Sequence, residues 1–287
     1  EKTAEEIVVE PVAPSFEKVA DDLVLNTEGK SLAEVTRYVG LKGLEAGKED
    51  YKIIADKVAN QLNALEKEGF SFDYQIARLK SGSSTALEKP APTALVRGGS
   101  AGVANFSGVD KKVSVFISDI TARDSLANGM NPQTILHESV HAATMASIRV
   151  GNLASQKGTK LHKDVQDLYS LFNYVIGDFN KKAKDPTSLS EYETKIFRRM
   201  NNSMANVDEI VAWGLTNPDM QKYLETIKYG DTNAWTAFVQ RIRTILGMSA
   251  QEDTALSELL RISDELLKAD VKQVASVVES TTAQRVK

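Results

Sequence analysis

The chain has 287 residues, 42% of them hydrophobic and 26% charged, which is enough for a substantial buried core in one large domain or two small ones. Its net charge of -4 excludes a broadly cationic surface, so no nucleic acid partner is predicted. The chain contains no cysteine, which excludes disulfides and thiolate metal sites, and neither a signal peptide nor a membrane-spanning apolar run is predicted from its sequence.

The first part of the chain is predicted to be helical after a flexible lead-in. Residues 1–15 are rich in glutamate and contain two prolines, which is typical of a flexible segment or linker. From Phe16 to Gly47 the helical pattern contains four glycines, which predicts short helices joined by turns. Residues 49–69 form a cleaner predicted helix that ends at a glycine. Its apolar stripe consists of Ile54, Val58, Leu62 and Leu65.

Strand patterns then replace helical ones. Residues 70–77 alternate between apolar and polar side chains, and residues 81–92 are interpreted as a loop. A short strand is predicted at 94–96, and the segments 102–106 and 112–118 are separated by a connection typical of a hairpin. These elements predict a small, mostly antiparallel sheet ahead of the next helix, and therefore an α+β fold.

The second half of the chain is predicted to be helical. Asn131 is a suitable N-cap and Pro132 a suitable first residue for a helix that runs to about Ser147. Beyond Gly151 apolar residues recur at helical spacing, which indicates helices whose stripes pack into a core. These stripes run from Leu161 to Phe179, from Tyr192 to Met204, from Trp235 to Ile245 and from Leu256 to Leu267. Residues 251–287 are interpreted as a C-terminal helix and tail.

Two of the three histidines in the chain stand four residues apart in the helix that begins after Asn131. A helix places residues at this spacing on one face, so His137 and His141 can point both imidazoles at one ion. Glu138 lies at the rim of that face, where it can reach a water held by the same ion. This arrangement produces a hydroxide-like nucleophile at neutral pH, because a cation lowers the pKa of the water and a carboxylate takes its proton. The competing interpretation is an exposed helix with two ordinary histidines.

The segment His137-Glu138-Ser139-Val140-His141 resembles the zinc-binding signature of the zincin metallopeptidases. The resemblance implies that both histidines bind Zn²⁺ and that Glu138 is the general base in peptide-bond hydrolysis. It also implies a zincin-like domain, here over residues 16–250, with a sheet before the active-site helix and a helical C-terminal half after it. In zincins an edge strand of that sheet pairs with the substrate backbone. The candidate here is 112–118, although a purely structural strand would give the same pattern.

Catalytic zinc needs a third protein ligand, with water in the fourth position. Glu209 is the leading candidate, because it lies on a later predicted helix and resembles the third ligand of the gluzincin branch of that family. Its neighbours are apolar, so its carboxylate needs a partner. His162 and Asp208 are the alternatives. Trp213 stands where gluzincins often have an acid that orients a ligand histidine, which leaves that role unassigned.

The stretch Asp208-Glu209-Ile210-Val211-Ala212, with Asn217-Pro218 and Leu224 after it, also resembles metallopeptidase-like domains of phage and mobile-element polyproteins. These resemblances imply a zinc-dependent endopeptidase that acts on a peptide or protein substrate, is cytoplasmic or virion-associated and has no membrane partner. A start at Glu1 rather than Met predicts a piece of a larger polyprotein or virion assembly. The candidates for stabilising the oxyanion are Tyr174, Tyr192, Tyr223, Tyr229 and His162.

Two other functions stay open. The chain could be a structural or virion-associated domain that keeps a zincin fold without turnover. It could also be a helical interaction protein in which the motif arose by chance, and this last interpretation predicts that no zinc is bound.

Overall fold

The structure, a computed structural model, describes residues 16–79, 87–92, 101–119, 129–185, 205–225 and 269–285, together with single residues between these ranges. Its elements are α1 (Phe16–Thr27), α2 (Leu32–Glu45), α3 (Glu49–Lys67), β1 (Ser71–Ala77), β2 (Gly102–Ser107), β3 (Lys112–Ser118), α4 (Pro132–Gly151), a 3-10 turn (Ala154–Gln156), α5 (Lys160–Ala183), α6 (Val207–Thr216), α7 (Pro218–Glu225) and α8 (Val271–Arg285). The architecture is α+β, with a small sheet and mostly helices, which confirms the predicted class.

Helix α4, which carries the histidine pair, lies at the centre of the fold. Most of its side chains are buried, and it packs against α2, α3, β2, β3, α5, α6 and α8. It begins as the sequence predicts, because the Asn131 side-chain oxygen accepts a hydrogen bond from the Thr134 N–H over 2.8 Å and Pro132 is the first helical residue. The histidines therefore stand on a core helix rather than on the exposed helix of the competing interpretation.

The described sheet has three strands in the order β1-β3-β2. Strands β2 and β3 form the predicted hairpin, with Gly102 opposite Ile117 and Ser107 opposite Lys112. Strand β1 pairs with β3 in parallel, so the sheet is mixed and the expectation of a mostly antiparallel sheet is wrong. The alternation of side chains predicts a strand and its buried face. It does not predict the direction of pairing, because parallel and antiparallel strands alternate in the same way.

Strand β3 lies in the middle of the sheet rather than at its edge. Val113, Val115 and Ile117 are fully buried along one face, and the strand is paired with β1 on one side and with β2 on the other. A strand that is paired on both sides cannot add a substrate strand. The prediction that 112–118 is the substrate-pairing edge is therefore wrong. The edge strand that contacts α4 is β2.

Helix α2 continues through two of the glycines that were expected to break it. Gly40 and Gly43 both lie where α3 passes closest to α2. A Cβ at Gly40 would lie 2.5 Å from the Ala55 Cβ, and one at Gly43 would lie 2.5 Å from the Tyr51 Cβ. These glycines therefore allow close helix packing. The other two glycines of this region have positive φ and lie in turns, as predicted.

Replacing Gly43 by alanine is expected to lower the free energy of unfolding. Overpacking against Tyr51 costs up to about 3 kcal/mol, whereas alanine gains about 1 kcal/mol in helix propensity, so a net loss of about 2 kcal/mol is expected. The shift of the thermal or urea midpoint measures this loss. Gly177→Ala in α5 is the matched control, because a Cβ there meets no atom within 4 Å and should stabilise the helix slightly. Midpoints that move in the same direction in both variants would exclude the packing explanation.

Several predicted elements lie outside the described residues. These are the flexible segment 1–15, most of the strand 94–96, most of the stripe from Tyr192 to Met204, the stripe from Trp235 to Ile245 and most of the stripe from Leu256 to Leu267. Helix α8 is described, and Val274, Ala275 and Val278 are buried in the same core as α4. The domain boundaries at 15/16 and 250/251 stay predictions. Within the described ranges no helix has the length and apolar character needed to cross a bilayer.

Candidate metal centre

His137 and His141 converge from one face of α4. Their Nε2 atoms are 3.1 Å apart, and their ring centroids are 4.7 Å apart with the planes at 84°. One helical turn separates the two residues, so the backbone of the helix sets the distance between the rings. His141 is buried and His137 nearly so, which places both Nε2 atoms in a site largely closed to solvent.

Glu209 reaches the two rings from α6. That helix begins at the N-cap Asn206, whose side-chain oxygen accepts a hydrogen bond from the Glu209 N–H over 3.0 Å. Glu209 Oε2 lies 3.4 Å from His137 Nε2, and Oε1 lies 3.5 Å from His141 Nε2. The three side chains form a cluster that could hold a metal ion. The predicted meeting of Glu209 with the histidine pair is thereby confirmed.

The three separations match one face of a metal-ligand tetrahedron. Zinc bonds of about 2.0–2.1 Å at tetrahedral angles place two donor atoms about 3.3 Å apart. The separations in the structure are 3.1, 3.4 and 3.5 Å. Two imidazoles and one carboxylate form a donor set that suits zinc and other divalent first-row metals. The residues therefore fit a divalent cation that accepts nitrogen and oxygen ligands.

Two further side chains of α6 hold the cluster in place. The Trp213 Nε1–H donates a hydrogen bond to Glu209 Oε2 over 3.1 Å, and its ring stands edge-on to that of His137 at 5.1 Å between centroids. Thr216 Oγ1 lies 3.5 Å from His137 Nδ1, where it can accept the Nδ1–H and leave Nε2 for a metal. The Tyr51 hydroxyl donates to the Thr216 carbonyl over 2.7 Å, which anchors the end of α6 on α3.

Burial and opposite charge set the protonation states of the three groups. Burial lowers the pKa of His137 to about 4, so its imidazole is neutral at neutral pH and offers a lone pair. Burial is the largest single effect on His141 and opposes its protonation, but the hydrogen bond to Glu209 and the charges of the nearby carboxylates together outweigh burial and raise the pKa of His141. Burial opposes ionisation of Glu209, yet hydrogen bonds to both histidines hold its pKa well below the ordinary range. Glu209 is therefore an anion whose charge a cation can balance.

Glu138 contacts the edge strand β2. Burial raises the pKa of its carboxyl to about 7, while the Ala104 N–H donates a hydrogen bond that acts in the opposite direction. A Cβ added at Gly102 would lie 2.6 Å from Glu138 Cγ, so a larger residue there would displace the carboxylate. A carboxyl with a pKa near neutrality can both take and release a proton at neutral pH.

The two alternative third ligands do not join the cluster. His162 stands in the first turn of α5, and its Nδ1 lies 2.8 Å from the Gly151 carbonyl oxygen, which links the start of α5 to the end of α4. Asp208 precedes Glu209 on α6 but is not one of the three clustered residues. Asp208 is half-buried, and burial raises the pKa of its carboxyl; it lies on α6 next to the cluster without being part of it.

Of the predicted oxyanion candidates, the structure describes Tyr174, Tyr223 and His162, and none of these three belongs to the metal-binding cluster. The Tyr223 hydroxyl donates to Asp178 over 2.9 Å, and Tyr174 is 50% exposed. Tyr192 and Tyr229 lie outside the described residues. The oxyanion-stabilising residue therefore stays unassigned.

The sequence analysis assigned no supporting role at the site to four residues that the structure places there. Trp213 and Thr216 follow Glu209 by four and seven residues, so helical spacing places all three on one face of α6 and would have identified them. Gly102 and Ala104 became recognisable only through the approach of β2 to α4, because β2 is far from Glu138 in sequence.

The site can therefore be described as a buried pair of imidazoles and a carboxylate that could hold a metal ion, with a second carboxyl beside it. Comparisons with protein-family models, with curated proteins and with solved structures found no match for this chain.

Proposed function

We propose that the protein is a zinc-dependent endopeptidase. The observation that carries the proposal is the convergence of His137, His141 and Glu209 at separations that suit zinc. The adjacent Glu138 supports it, because a buried carboxyl beside a metal site is suited to proton transfer. The resemblance of the histidine pair and Glu138 to the zincin signature supplies the reaction class.

The three clustered residues bind the metal, and Glu138 moves the proton. A bound Zn²⁺ supplies Lewis acidity, which lowers the pKa of a water and polarises the scissile carbonyl. Glu138 takes a proton from the attacking water and later passes it to the amine that leaves as the peptide C–N bond breaks. Trp213 and Thr216 keep Glu209 and His137 in the binding geometry during this cycle.

Removing the metal is expected to abolish hydrolysis. The experiment measures the zinc content of the purified protein and its cleavage of unfolded casein, before and after treatment with a strong chelator. Adding back Zn²⁺ should restore cleavage, because the donors are two imidazoles and one carboxylate. Mg²⁺ is the control addition and should not restore it, since magnesium prefers oxygen ligands.

The other outcomes separate the competing functions. Bound zinc without cleavage of casein, or of the protein itself at high concentration, would favour a structural or virion-associated domain that keeps the fold without turnover. A purified protein that neither contains nor takes up zinc would favour the interaction protein with a chance motif, and would overturn the proposal.

A further inference from the structure

The two histidines of the cluster differ in what surrounds their second ring nitrogen. His137 Nδ1 has the Thr216 hydroxyl oxygen at 3.5 Å. His141 Nδ1 is buried and has no hydrogen-bond partner in the described part of the chain. Helix α4 thus carries one histidine whose Nδ1 has a nearby acceptor and one whose Nδ1 has none among the described residues.

A histidine that gives its Nε2 lone pair to a metal carries its remaining proton on Nδ1. In the site described above, His141 Nε2 faces Glu209 and His137, so Nε2 is the nitrogen available to a metal. The His141 Nδ1–H then becomes an obligatory donor in a buried position. A buried donor without an acceptor is costly, so the metal-loaded site needs an acceptor at this position.

Asp208 supplies a matching unpaired acceptor. Its Oδ1 is also buried, and within the described residues it also has no hydrogen-bond partner. Asp208 lies in the first turn of α6, directly before Glu209, and its carboxylate interacts electrostatically with His141. The donor of one residue and the acceptor of the other are therefore both buried, unpaired and close to the same cluster.

The other polar groups in this region are engaged elsewhere or cannot accept the His141 Nδ1–H. Arg149 also interacts with Asp208, but its guanidinium donates to the Phe106 carbonyl over 3.1 Å and lies over the Phe106 ring. Burial and the Asp208 charge raise the pKa of Tyr169. The Tyr169 hydroxyl accepts a hydrogen bond from Asn152 Nδ2 over 3.4 Å. Trp213 cannot serve as an acceptor, because its indole N–H is a donor and is directed to Glu209.

We propose that Asp208 accepts the hydrogen bond of the His141 Nδ1–H when the site holds its metal, and so acts as a positioning residue for His141. This inference rests on the metal binding in the proposed function but not on hydrolysis. It gives the two histidines different supports, a hydroxyl behind His137 and a carboxylate behind His141. Each support comes from α6, the helix that also carries Glu209.

The test compares Asp208→Ala and Asp208→Asn with the unchanged protein. Zinc affinity is measured by competition with a chromophoric chelator, and the His141 Nδ1–H is followed in the zinc-loaded protein by proton–nitrogen NMR of the histidine rings. Asp208→Ala is expected to weaken zinc binding by about 10-fold to 100-fold and to remove the protected Nδ1–H signal. Asp208→Asn keeps an acceptor oxygen, so it should retain the signal at a shifted position and lose less affinity.

Asp164→Asn is the matched control, because Asp164 is a buried aspartate of α5 that pairs with Lys160 at 2.9 Å. It should leave both zinc affinity and the His141 signal unchanged. Unchanged affinity and an unmoved signal in both Asp208 variants would overturn the inference, and the Asn variant alone decides if the Ala variant does not fold. A protein that binds zinc without hydrolysing peptides would remove the endopeptidase proposal and leave this test intact, whereas one that binds no zinc would overturn both.

Discussion

The Glu138→Gln protein is expected to bind its metal normally and to lose turnover by about 10²-fold to 10⁴-fold, the usual contribution of a general acid–base group. The amide has the shape of the carboxylic acid but cannot take a proton from the attacking water. Glu138 is not one of the three clustered donors, so its replacement leaves the predicted ligand set complete. The ratio of casein cleavage rates at equal zinc content measures the effect.

The control for this variant is a change of the same chemical type at a distant, exposed position. Glu66→Gln on α3 removes one carboxylate from the surface and should leave both zinc content and turnover unchanged. Wild-type turnover in Glu138→Gln would remove Glu138 from the reaction. Loss of zinc together with turnover would instead show that Glu138 supports the metal, and it would then have to be treated as part of the binding site.

Local spacing was sufficient to predict the core of the site. His137 and His141 are one helical turn apart, and the cap and first turn of α4 follow from Asn131 and Pro132, so both the helix and its metal-facing pair were predictable. Glu209 was predicted for a different reason, namely its resemblance to the third ligand that gluzincins carry on a later helix. Its apolar neighbours gave additional support, because an acid beside an apolar helix face needs a partner, which the two rings provide.

Long-range pairing was not predictable in the same way. The alternation in 112–118 correctly predicted a strand with Val113, Val115 and Ile117 inward, but the same alternation is compatible with a central or an edge position. Which strand becomes the edge depends on β1 joining β3 in parallel, and the alternation within each strand does not specify that long-range pairing. Gly40 and Gly43 show the same limit, because a glycine that breaks a helix and one that admits a neighbouring helix look alike in sequence.

The Glu209→Gln protein is expected to lose most of its affinity for zinc. Glu209 is the anionic member of the cluster, and both of its oxygens face a histidine nitrogen, so the amide removes the negative charge that a divalent cation would balance. Losing a residue that binds the metal directly should reduce zinc affinity by more than the roughly 10-fold to 100-fold that is typical when a hydrogen-bond partner of such a residue is lost. Competition with a chromophoric chelator measures the affinity. The rise in melting temperature on adding zinc gives a second readout, because a ligand stabilises only a protein that binds it in the folded state.

The same two measurements distinguish a lost ligand from a damaged fold. Helix α6 should still form in Glu209→Gln, since its cap depends on the Glu209 backbone N–H and the Asn206 side chain rather than on the Glu209 carboxylate. The variant is expected to melt below the metal-free wild-type protein, because the amide loses the charge that the two histidines stabilise, and to show no rise with zinc, while Glu66→Gln should respond to zinc as the wild type does. Zinc binding of wild-type strength in Glu209→Gln would mean that another residue completes the site. Asp208, the half-buried acid directly before Glu209, would then be the first to test by substitution, because a small rotation of α6 could bring its carboxylate toward His141.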